Sequence, residues 1–456
     1  MYFPPYVKGI IERLNSCGHS AYAVGGCVRD MLLGLVPHDY DIATSATPQE
    51  IRSIFESTYD TGSRYGTITV IYLGHAAEVT TYRKDGVYKD GRRPESVEFS
   101  GSIADDLSRR DFTINAMAAS PLSGIIDPFS GRGDLEKRTI RCVGDPQKRF
   151  GEDALRIVRA FRFASQLGFD IESETLSAAL RLSGRLSKIS AERILSELIK
   201  AITGAKPSAL GPLIAHGGFG FLGVTHAENL DVLDGHMNAL HRESAFAALC
   251  FLCGVRPKEL CIRLKSDRRL REVSADIFYC LQCPPYNRAA KKRALALLSE
   301  EYIYDVIYLC ALLGRFSKTA PEEAVHGGAG GQRSGGDKAA APLKASAADA
   351  DFSGKNGAET NVCASYAAAE LGPDTGYEYH RRQTEDILHS GEAYKLSMLA
   401  VNGSDIVNLS EQGRQTGHIL DLLLQHVIEH PEENERERLL ELAREYINQN
   451  RLTQPK

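Results

Sequence analysis

The spacing of apolar and polar residues in the first part of the chain changes repeatedly between the period of a helix and that of a strand. It predicts helices at 7–15 and 27–33 and strands at 21–24, 68–73 and 78–82. Gly34 follows the second helix, as is typical of a helix C-terminus. Gly74 and His75 separate the last two strands, which predicts a hairpin. Residues 1–145 are therefore expected to form an α+β domain.

From residue 146 onward the apolar residues follow the helical period alone. Helices are predicted at 153–167, 173–182 and 191–203, within 243–313 and again within 396–446. Residues 321–360 depart from this pattern, because 18 of them are Gly or Ala and few are large and apolar. Such a stretch cannot bury enough apolar surface to offset its ordering entropy, so a disordered linker is expected there.

Composition and charge narrow the class of protein. The 456 residues show neither a long apolar run nor a basic, then apolar leader, so no membrane contact is expected. Ten cysteines without an export signal indicate reduced thiols and a cytoplasmic protein. The net charge of -5 argues at first against nucleic acid. However, basic residues concentrate at 109–110, 156–162 and 256–293, and the local field rather than the total charge governs RNA binding.

A pair of carboxylates carries the first chemical signal. Asp39 and Asp41 are two residues apart, so a strand at this point places both side chains on one face. Mg²⁺ suits such a pair, because it binds through few carboxylates together with substrate phosphates. Two Mg²⁺ ions would then clamp the attacking and leaving oxygens of a phosphoryl displacement. Alone, this motif is equally typical of a solvated turn.

A glycine turn lies upstream of the carboxylates. Gly25 and Gly26 open a helix, whose free backbone N–H groups form an anion site that suits a triphosphate. Arg29, on the first turn, would add a charged fork to the same phosphates. The order of the two motifs, within 20 residues, favours a nucleotide-binding site over two unrelated turns.

Here the sequence resembles the nucleotidyltransferase superfamily that includes tRNA CCA-adding enzymes and bacterial poly(A) polymerases. The resemblance rests on GGCVRD (25–30), DYDIATSATP (39–48), RRDFTINAM (109–117), DPFSGRGDL (127–135), EDALRIVRAFRFA (152–164) and SAERI (190–194). It is continuous over about 20–200 and returns at LAVNGSD (399–405). It implies a polymerase-β-like head with a mixed sheet, followed by all-α domains.

The resemblance also implies an organisation and an activity. The expected parts are a catalytic head at 1–145, a neck at 146–205, a body at 206–318, a linker at 319–375 and a tail at 376–456. The implied reaction is addition of C, C and A to the tRNA 3′ end from CTP and ATP, with Mg²⁺ and release of pyrophosphate. Poly(A) polymerase and a CC-only enzyme are alternatives within the family, and a catalytically inactive RNA-binding relative is a third.

Several residues receive roles from the resemblance. Glu78 matches a third acidic residue beside the carboxylate pair, and Arg110 matches a contact to the incoming nucleotide. The residues that match the protein template for the base are Glu152, Asp153 and Arg156, and those expected to hold the triphosphate are Arg159 and Arg162. The chemistry fits, because a carboxylate only accepts hydrogen bonds and a guanidinium only donates them.

Cytosine and adenine both carry an exocyclic amine, whereas uracil and guanine present a carbonyl at the matching position. An Asp153–Arg156 pair would therefore accept CTP and ATP and leave UTP and GTP with unpaired groups. The polar loop at 82–94 resembles the mobile loop of complete CCA-adding enzymes, although its composition is equally typical of a solvated loop.

A basic stretch in the helical body is the candidate tRNA surface, for the acceptor and T-arm. The residues proposed to contact RNA are Arg268, Arg269, Arg288, Lys291 and Lys292. No stable protein partner is implied. A different class remains open, because the CxxC spacings at 250–253 and 280–283 are typical of zinc sites. An apolar helix around Cys250, however, favours a buried thiol.

Overall fold

The computed structural model describes residues 1–86, 97–316, 376–409 and 415–452. The predicted linker and most of the 82–94 loop lie outside these ranges. The chain divides into two compact units, Met1–Phe278 and Tyr279–Lys456. The finer division into head, neck, body and tail stays a prediction. No helix in the described ranges is both long enough and apolar enough to cross a bilayer.

The first unit is built on a mixed sheet. Its strands, in chain order, are β1 Ala21–Val24, β2 Asp41–Thr44, β3 Thr58–Gly62, β4 Thr67–Tyr72, β5 His75–Thr81, β6 Arg83–Asp85, β7 Val97–Phe99, β8 Ala118–Ser120, β9 Gly124–Ile126, β10 Thr139–Ile140 and β11 Asp170–Ile171. Two pairs, β6 with β7 and β10 with β11, form separate small sheets. Seven of the strands form one sheet in the order β3-β4-β5-β2-β1-β8-β9. Within it β2 and β5 run parallel and the other neighbours antiparallel. The predicted mixed sheet is confirmed.

Helices surround this sheet and continue beyond it. They are α1 Pro5–Ser16, α2 Gly26–Leu32, α3 Pro48–Ile54, α4 Ile103–Ser108, α5 Gly131–Glu136, α6 Pro146–Glu152, α7 Leu155–Leu167, α8 Ser173–Leu182, α9 Ala191–Ile202, α10 Gly211–Ala215, α11 Arg242–Leu252, α12 Pro257–Arg263 and α13 Arg268–Gln282. In α1 the buried residues are Val7, Ile10, Ile11 and Leu14, spaced as one helical face requires.

The predicted hairpin forms one residue earlier than expected. Leu73 and Gly74 make the turn with φ values of 50° and 77°, as a tight two-residue connection requires. The register pairs Tyr72 with His75, so His75 belongs to β5 rather than to the turn.

The predicted helix at 153–167 is shorter than expected. Asp145 caps α6 through Gln147 N, and Pro146 opens it, so 146–152 folds as a separate helix. Asp153 has φ −142° and ψ 107°, which is extended backbone. Its Oδ1 accepts a hydrogen bond from the N–H of Leu155 at 3.0 Å, which caps the start of α7. Asp153 therefore precedes the helix that carries Arg156, Arg159 and Arg162.

The second unit is helical. Within its described ranges the helices that follow α13 are α14 Arg288–Leu297, α15 Glu300–Leu312, α16 Tyr377–Ser390, α17 Gly403–Val407, α18 Thr416–Glu429 and α19 Arg436–Leu452. A core of aliphatic side chains joins the last three, including Ile406, Ile419, Leu423, Val427 and Leu439, all 0% exposed. The helical character predicted for this region is confirmed, with α18 and α19 separated at 430–435.

Two lysines of α14 are buried, contrary to their predicted role at an RNA surface. Lys291 is 0% and Lys292 1% exposed. The ammonium of Lys291 donates to Tyr286 O at 3.1 Å and Gln383 Oε1 at 2.9 Å, and Lys292 pairs with Glu392. Neither group reaches solvent, so Lys291 and Lys292 are withdrawn from the candidate RNA-binding set.

Arg288 pairs with Glu392, as Lys292 does. Its guanidinium is exposed on one side and donates three hydrogen bonds to Glu392, at 2.6 to 3.1 Å. Glu392 thus holds one buried and one exposed cation at the start of α14. The hydrogen bonds donated by Arg288, which have the largest effect, and by Lys292 lower the pKa of Glu392 to about 2. The RNA role of Arg288 stays a prediction.

We expect Glu392→Gln to destabilise the protein by about 3 kcal/mol at pH 7, because it leaves the buried Lys292 without a counter-charge. A carboxyl whose pKa falls from 4.5 to about 2 on folding stabilises the fold above pH 4.5 and loses that contribution as the pH falls through about 2. The gap between variant and wild type should therefore narrow over this window.

Urea unfolding at pH 7, 4 and 2.5 measures that gap. Glu378→Gln is the matched control, since Glu378 pairs with Arg381 at the surface and its loss should cost less than about 1 kcal/mol. A gap for Glu392→Gln that stays constant across this pH range would contradict the assignment.

Candidate active site

The parallel pairing of β2 and β5 brings two carboxylates together. Asp41 opens β2 and lies directly beside Glu78 of β5. Because neighbouring strands are about 4.8 Å apart and paired residues share a face, the two side chains project in the same direction. Asp39 precedes the strand by two residues. The strand expected at this point begins at Asp41, so Asp39 lies just before it. Glu78 lies beside the pair of Asp39 and Asp41, the DxD motif.

The electrostatics of these groups suit a cation. Loss of solvation by the surrounding protein raises the pKa of Asp41, Arg110 opposes this and Asp39 adds to it. The pKa of Glu78 is raised by loss of solvation and by both aspartates. Within the described ranges no three His, Cys, Asp or Glu side chains are already gathered around one point. The donor set fits Mg²⁺, which needs only one or two carboxylates beside substrate phosphates.

A cavity of about 410 Å³ opens beside Asp41 and Glu78. Eight further charged residues line it from other elements: Arg83, Arg109, Arg110, Asp111, Asp153, Arg156, Arg159 and Arg193. The lining thus combines carboxylates of the sheet edge with charged residues of the 109–111 segment, α7 and α9. A cavity of this size accommodates a nucleotide.

Gly25 has a steric function. Its φ is 79°, a left-handed conformation that glycine adopts readily. A Cβ at this position would lie 2.6 Å from Nη1 of Arg110. The backbone N–H of Gly25 donates to Met117 O at 3.2 Å, so it is not available to a phosphate. Gly25 therefore makes room for Arg110, and Gly26, which opens α2, remains the candidate for a phosphate contact.

Arg29 is held by its neighbours in this structure. Its Nη1 donates to Asn115 Oδ1 at 2.8 Å, and its Nη2 lies 2.7 Å from Asp30 Oδ1. The guanidinium also lies 5.2 Å from the ring centre of Phe163. A phosphate role for Arg29 stays a prediction, and it requires exchange of one of these partners.

The structure brings the proposed base-recognition residues together, and two of them, Arg156 and Glu152, form an ion pair. Arg156 donates to Glu152 Oε2 at 2.6 Å and to Arg109 O at 3.1 Å. Asp153 instead accepts from Nη2 of Arg193 at 2.7 Å. A separate partner therefore fixes each of Asp153 and Arg156 at the cavity. Arg193 lies in the SAERI motif, and its sequence position alone did not reveal its contact.

Arg159 and Arg162 occupy different environments. Arg159 lines the cavity and pairs with Asp111 at 2.6 Å. Burial raises the pKa of Asp111, but the charge of Arg159 outweighs this effect and lowers that pKa to about 2. Arg162 does not line the cavity; its Nε lies 2.6 Å from Glu197 Oε2 and its guanidinium packs on Phe163. The triphosphate role stays a prediction for both residues and has more geometric support at Arg159.

Other candidate residues lie away from the cavity. Arg268 and Arg269 are exposed at the start of α13, and Arg269 lies 3.7 Å from Glu243. Cys250 and Cys253 are buried free thiols, and loss of solvation raises the pKa of both. Neutral thiols in an apolar environment are small hydrophobic side chains rather than zinc ligands.

Comparison with known protein families matches two segments. Residues 21–141 match the family described as the poly A polymerase head domain. Residues 168–217 match the family described as the probable RNA- and SrmB-binding site of polymerase A. The first segment contains the DxD strand, the Gly25 turn and the Arg110 segment.

The relatives are CCA-adding enzymes. That of Geobacillus thermodenitrificans is 50% identical over 217 residues, which is 47% of this chain and 54% of the relative. That of Geobacillus stearothermophilus is 44% identical over 260 residues, which is 56% of this chain and 64% of the relative. The chain thus spans between about half and two thirds of the length of these relatives.

Solved structures extend the similarity in fold. The Bacillus stearothermophilus CCA-adding enzyme in complex with CTP is 29% identical, with a TM-score of 0.68, and the match covers 99% of this chain and 100% of that one. The Thermotoga maritima CCA-adding enzyme complexed with tRNA is 18% identical, with a TM-score of 0.53, and covers 96% and 95%. The second match shows a similar fold, and the first, together with the relatives above, confirms the resemblance to CCA-adding enzymes.

Proposed function

We propose that this chain is a CCA-adding tRNA nucleotidyltransferase, which extends tRNA with C, C and A from CTP and ATP and releases pyrophosphate. One observation carries the proposal: the Asp41–Glu78 edge and the Asp153–Arg156 segment face the same cavity of about 410 Å³. A nucleotide bound there has its phosphates near the carboxylates and its base near a donor and an acceptor. The names of the relatives support the choice of reaction.

The residues of the chain divide the work by chemistry. Asp41 and Asp39, with Glu78 beside them, would hold Mg²⁺ through carboxylate oxygens. When bound there, Mg²⁺ favours ionisation of the tRNA 3′-hydroxyl and neutralises the departing pyrophosphate. Arg110 and Arg159 supply fixed positive charge on the cavity wall, where they bind and orient phosphate oxygens.

Base choice follows from the two clamped side chains. The carboxylate of Asp153 accepts a hydrogen bond from the exocyclic amine of cytosine or adenine, and Arg156 donates to the neighbouring ring nitrogen. Uracil and guanine present a carbonyl to Asp153, so binding them leaves buried acceptors unpaired. Arg193 forms an ion pair with Asp153, and Glu152 forms one with Arg156. The side chains of Asp153 and Arg156 therefore cannot rotate to accommodate the wrong base without losing these ion pairs.

The alternatives share the fold and differ in the product. A poly(A) polymerase would add only A, a CC-only enzyme would stop after two C, and an inactive relative would bind RNA without chemistry. The acidic residues that chemistry requires are present at 39, 41 and 78. We further propose a cytoplasmic location, in keeping with the reduced cysteines and the tRNA substrate.

Incorporation assays test the proposal. The protein is incubated with Mg²⁺, a tRNA lacking CCA and each labelled nucleotide in turn. Incorporation of C from CTP, and of A from ATP once CTP is present, supports it. Incorporation of UTP or GTP at similar rates, or of none of the four, would contradict it.

We expect the double variant Arg268→Ala, Arg269→Ala to bind tRNA more weakly and with a shallower salt dependence. Each phosphate contact that the variant loses lowers the number of counterions released on binding. The slope of log affinity against log salt should therefore become shallower by about one to two. Filter binding at several KCl concentrations measures it. Lys8→Ala in α1 is the control for exposed charge, and an unchanged slope in the double variant would remove α13 from the tRNA surface.

A further inference from the structure

We infer that Asp106 is a positioning residue that holds the Arg110 guanidinium at the nucleotide cavity and keeps it from pairing with Asp41. This inference rests on the proposed nucleotide-binding function and extends it to a residue outside the recognised motifs. Asp106 lies on α4, three and four residues before Arg109 and Arg110, and its side chain is 1% exposed.

The contacts of Asp106 show how it acts on both arginines. Its Oδ1 accepts from Nε and Nη2 of Arg109 at 3.0 and 2.7 Å. Its Oδ2 accepts from Nη2 of Arg110 at 3.3 Å. A buried carboxylate shared by two guanidinium groups is a fixed anchor, because moving either arginine leaves charge unpaired in a poorly solvated place.

Two carboxylates act on Arg110, those of Asp106 and Asp41. Arg110 lines the cavity together with Asp41, and burial raises the pKa of Asp41 while the charge of Arg110 opposes this. Nη1 of Arg110 lies 2.6 Å from the position of a Cβ at residue 25, and Nε is buried without a hydrogen-bond partner. The glycine turn and Asp106 thus confine the guanidinium at the lining of the cavity.

Loss of the Asp106 charge would free Arg110 to approach Asp41. A guanidinium paired with that carboxylate would compete with Mg²⁺ for its oxygens and would no longer face the nucleotide. Two effects follow together: weaker nucleotide binding and a higher requirement for Mg²⁺. A residue with a merely structural role would lower stability without coupling these two.

The same end of α4 supports the base-recognition residues. The carbonyl of Ser108 accepts from Nη2 of Arg149 at 2.7 Å, and that of Arg109 accepts from Nη2 of Arg156 at 3.1 Å. The anchor at Asp106 therefore fixes a segment that contacts both the phosphate side and the base side of the cavity.

Asp105 provides a matched control. It is the adjacent acid on α4, but its carboxylate bonds to Ser100 and Lys84 rather than to the arginines. Asp105→Asn removes one negative charge from the same helix turn and leaves the anchor intact. Any effect of helix charge alone should appear equally in Asp105→Asn and Asp106→Asn.

Equilibrium dialysis of labelled CTP, without tRNA, tests the inference. We expect Asp106→Asn to weaken CTP binding about tenfold, as for loss of a hydrogen bond to a charged group, and Asp105→Asn to leave it unchanged. In an Arg110→Met background Asp106→Asn should have no further effect, because the anchor then has no guanidinium to position. Half-saturating Mg²⁺ in the incorporation assay should rise for Asp106→Asn alone.

Unchanged CTP binding in a folded Asp106→Asn variant would overturn the inference, as would additive effects of the two substitutions. If circular dichroism shows that Asp106→Asn does not fold, Asp106→Ser, which also removes the charge, replaces it in the same cycle, with the same two criteria. Failure of the wild-type protein to bind CTP would instead contradict the proposed function, and the inference with it.

Discussion

Nucleotide incorporation by an Asp41→Asn variant should fall at least about 10³-fold, because the amide cannot supply an anionic oxygen ligand to Mg²⁺ at the site of charge development. Asp39→Ala should have the same effect. The substitution at 41 preserves the shape of the side chain and the pairing of β2 with β5, which depends on backbone atoms. Binding of tRNA should therefore remain close to that of wild type.

Single-turnover incorporation of labelled C measures the loss, and filter binding measures tRNA affinity. Asp60→Asn is the control, since Asp60 is an exposed carboxylate of β3 paired with Arg52. Its activity should equal that of wild type. Activity of Asp41→Asn above about a tenth of wild type would remove this carboxylate from the catalytic machinery.

Relaxed base choice is the second large effect, expected for Asp153→Ala. Without the acceptor, the exocyclic amine of cytosine loses its partner and the carbonyl of uracil is no longer penalised. The ratio of kcat/KM for CTP over UTP should fall by about 10²-fold or more, mainly through slower CTP use. Arg193→Met should lower the ratio less, because it loosens Asp153 without removing it.

Competition between labelled CTP and UTP on the same tRNA gives this ratio directly. Asp170→Asn is the control, as Asp170 is exposed and pairs with Lys206. A variant of Asp153 that loses activity with both nucleotides equally, and keeps its ratio, would show that this residue stabilises the protein and does not select the base.

The local fold was largely predictable because its signals are local. The hairpin at 67–81 follows from alternating β-branched residues around Gly74. The place of Glu78 beside Asp41 depends on the separate pairing of β5 with β2, and in the sequence only the resemblance implied it. The helices at 173–182 and 191–202 follow from apolar spacing. Even so, the turn lies one residue earlier than expected, since two adjacent left-handed residues fix it.

The partners of the charged residues were not predictable, because they come from distant sequence. EDALRIVR contains no Gly or Pro, so the local signal for the break is Asp153 itself, whose carboxylate accepts from Leu155 N–H. Its contact with Arg193 comes from distant sequence. Lys292 follows the pattern of a solvated helix face. Its counter-ion Glu392 lies one hundred positions later, and the ammonium of Lys292 is buried against it.

Net charge was a poor guide for the same reason. Charged groups around the cavity are mostly paired: Arg156 with Glu152, Arg159 with Asp111 and Arg193 with Asp153. What distinguishes the site is that carboxylates and arginines gather around one cavity, which a sum over 456 residues does not contain.

The sequence of the product 3′ ends tests the central proposal most directly. A tRNA lacking CCA is incubated with the protein, Mg²⁺, CTP and ATP, and the extended 3′ ends are sequenced. For a CCA-adding enzyme, we expect products that end in C, C and A and are not extended further. A run of A, or products that stop after two C with ATP present, would contradict the proposal.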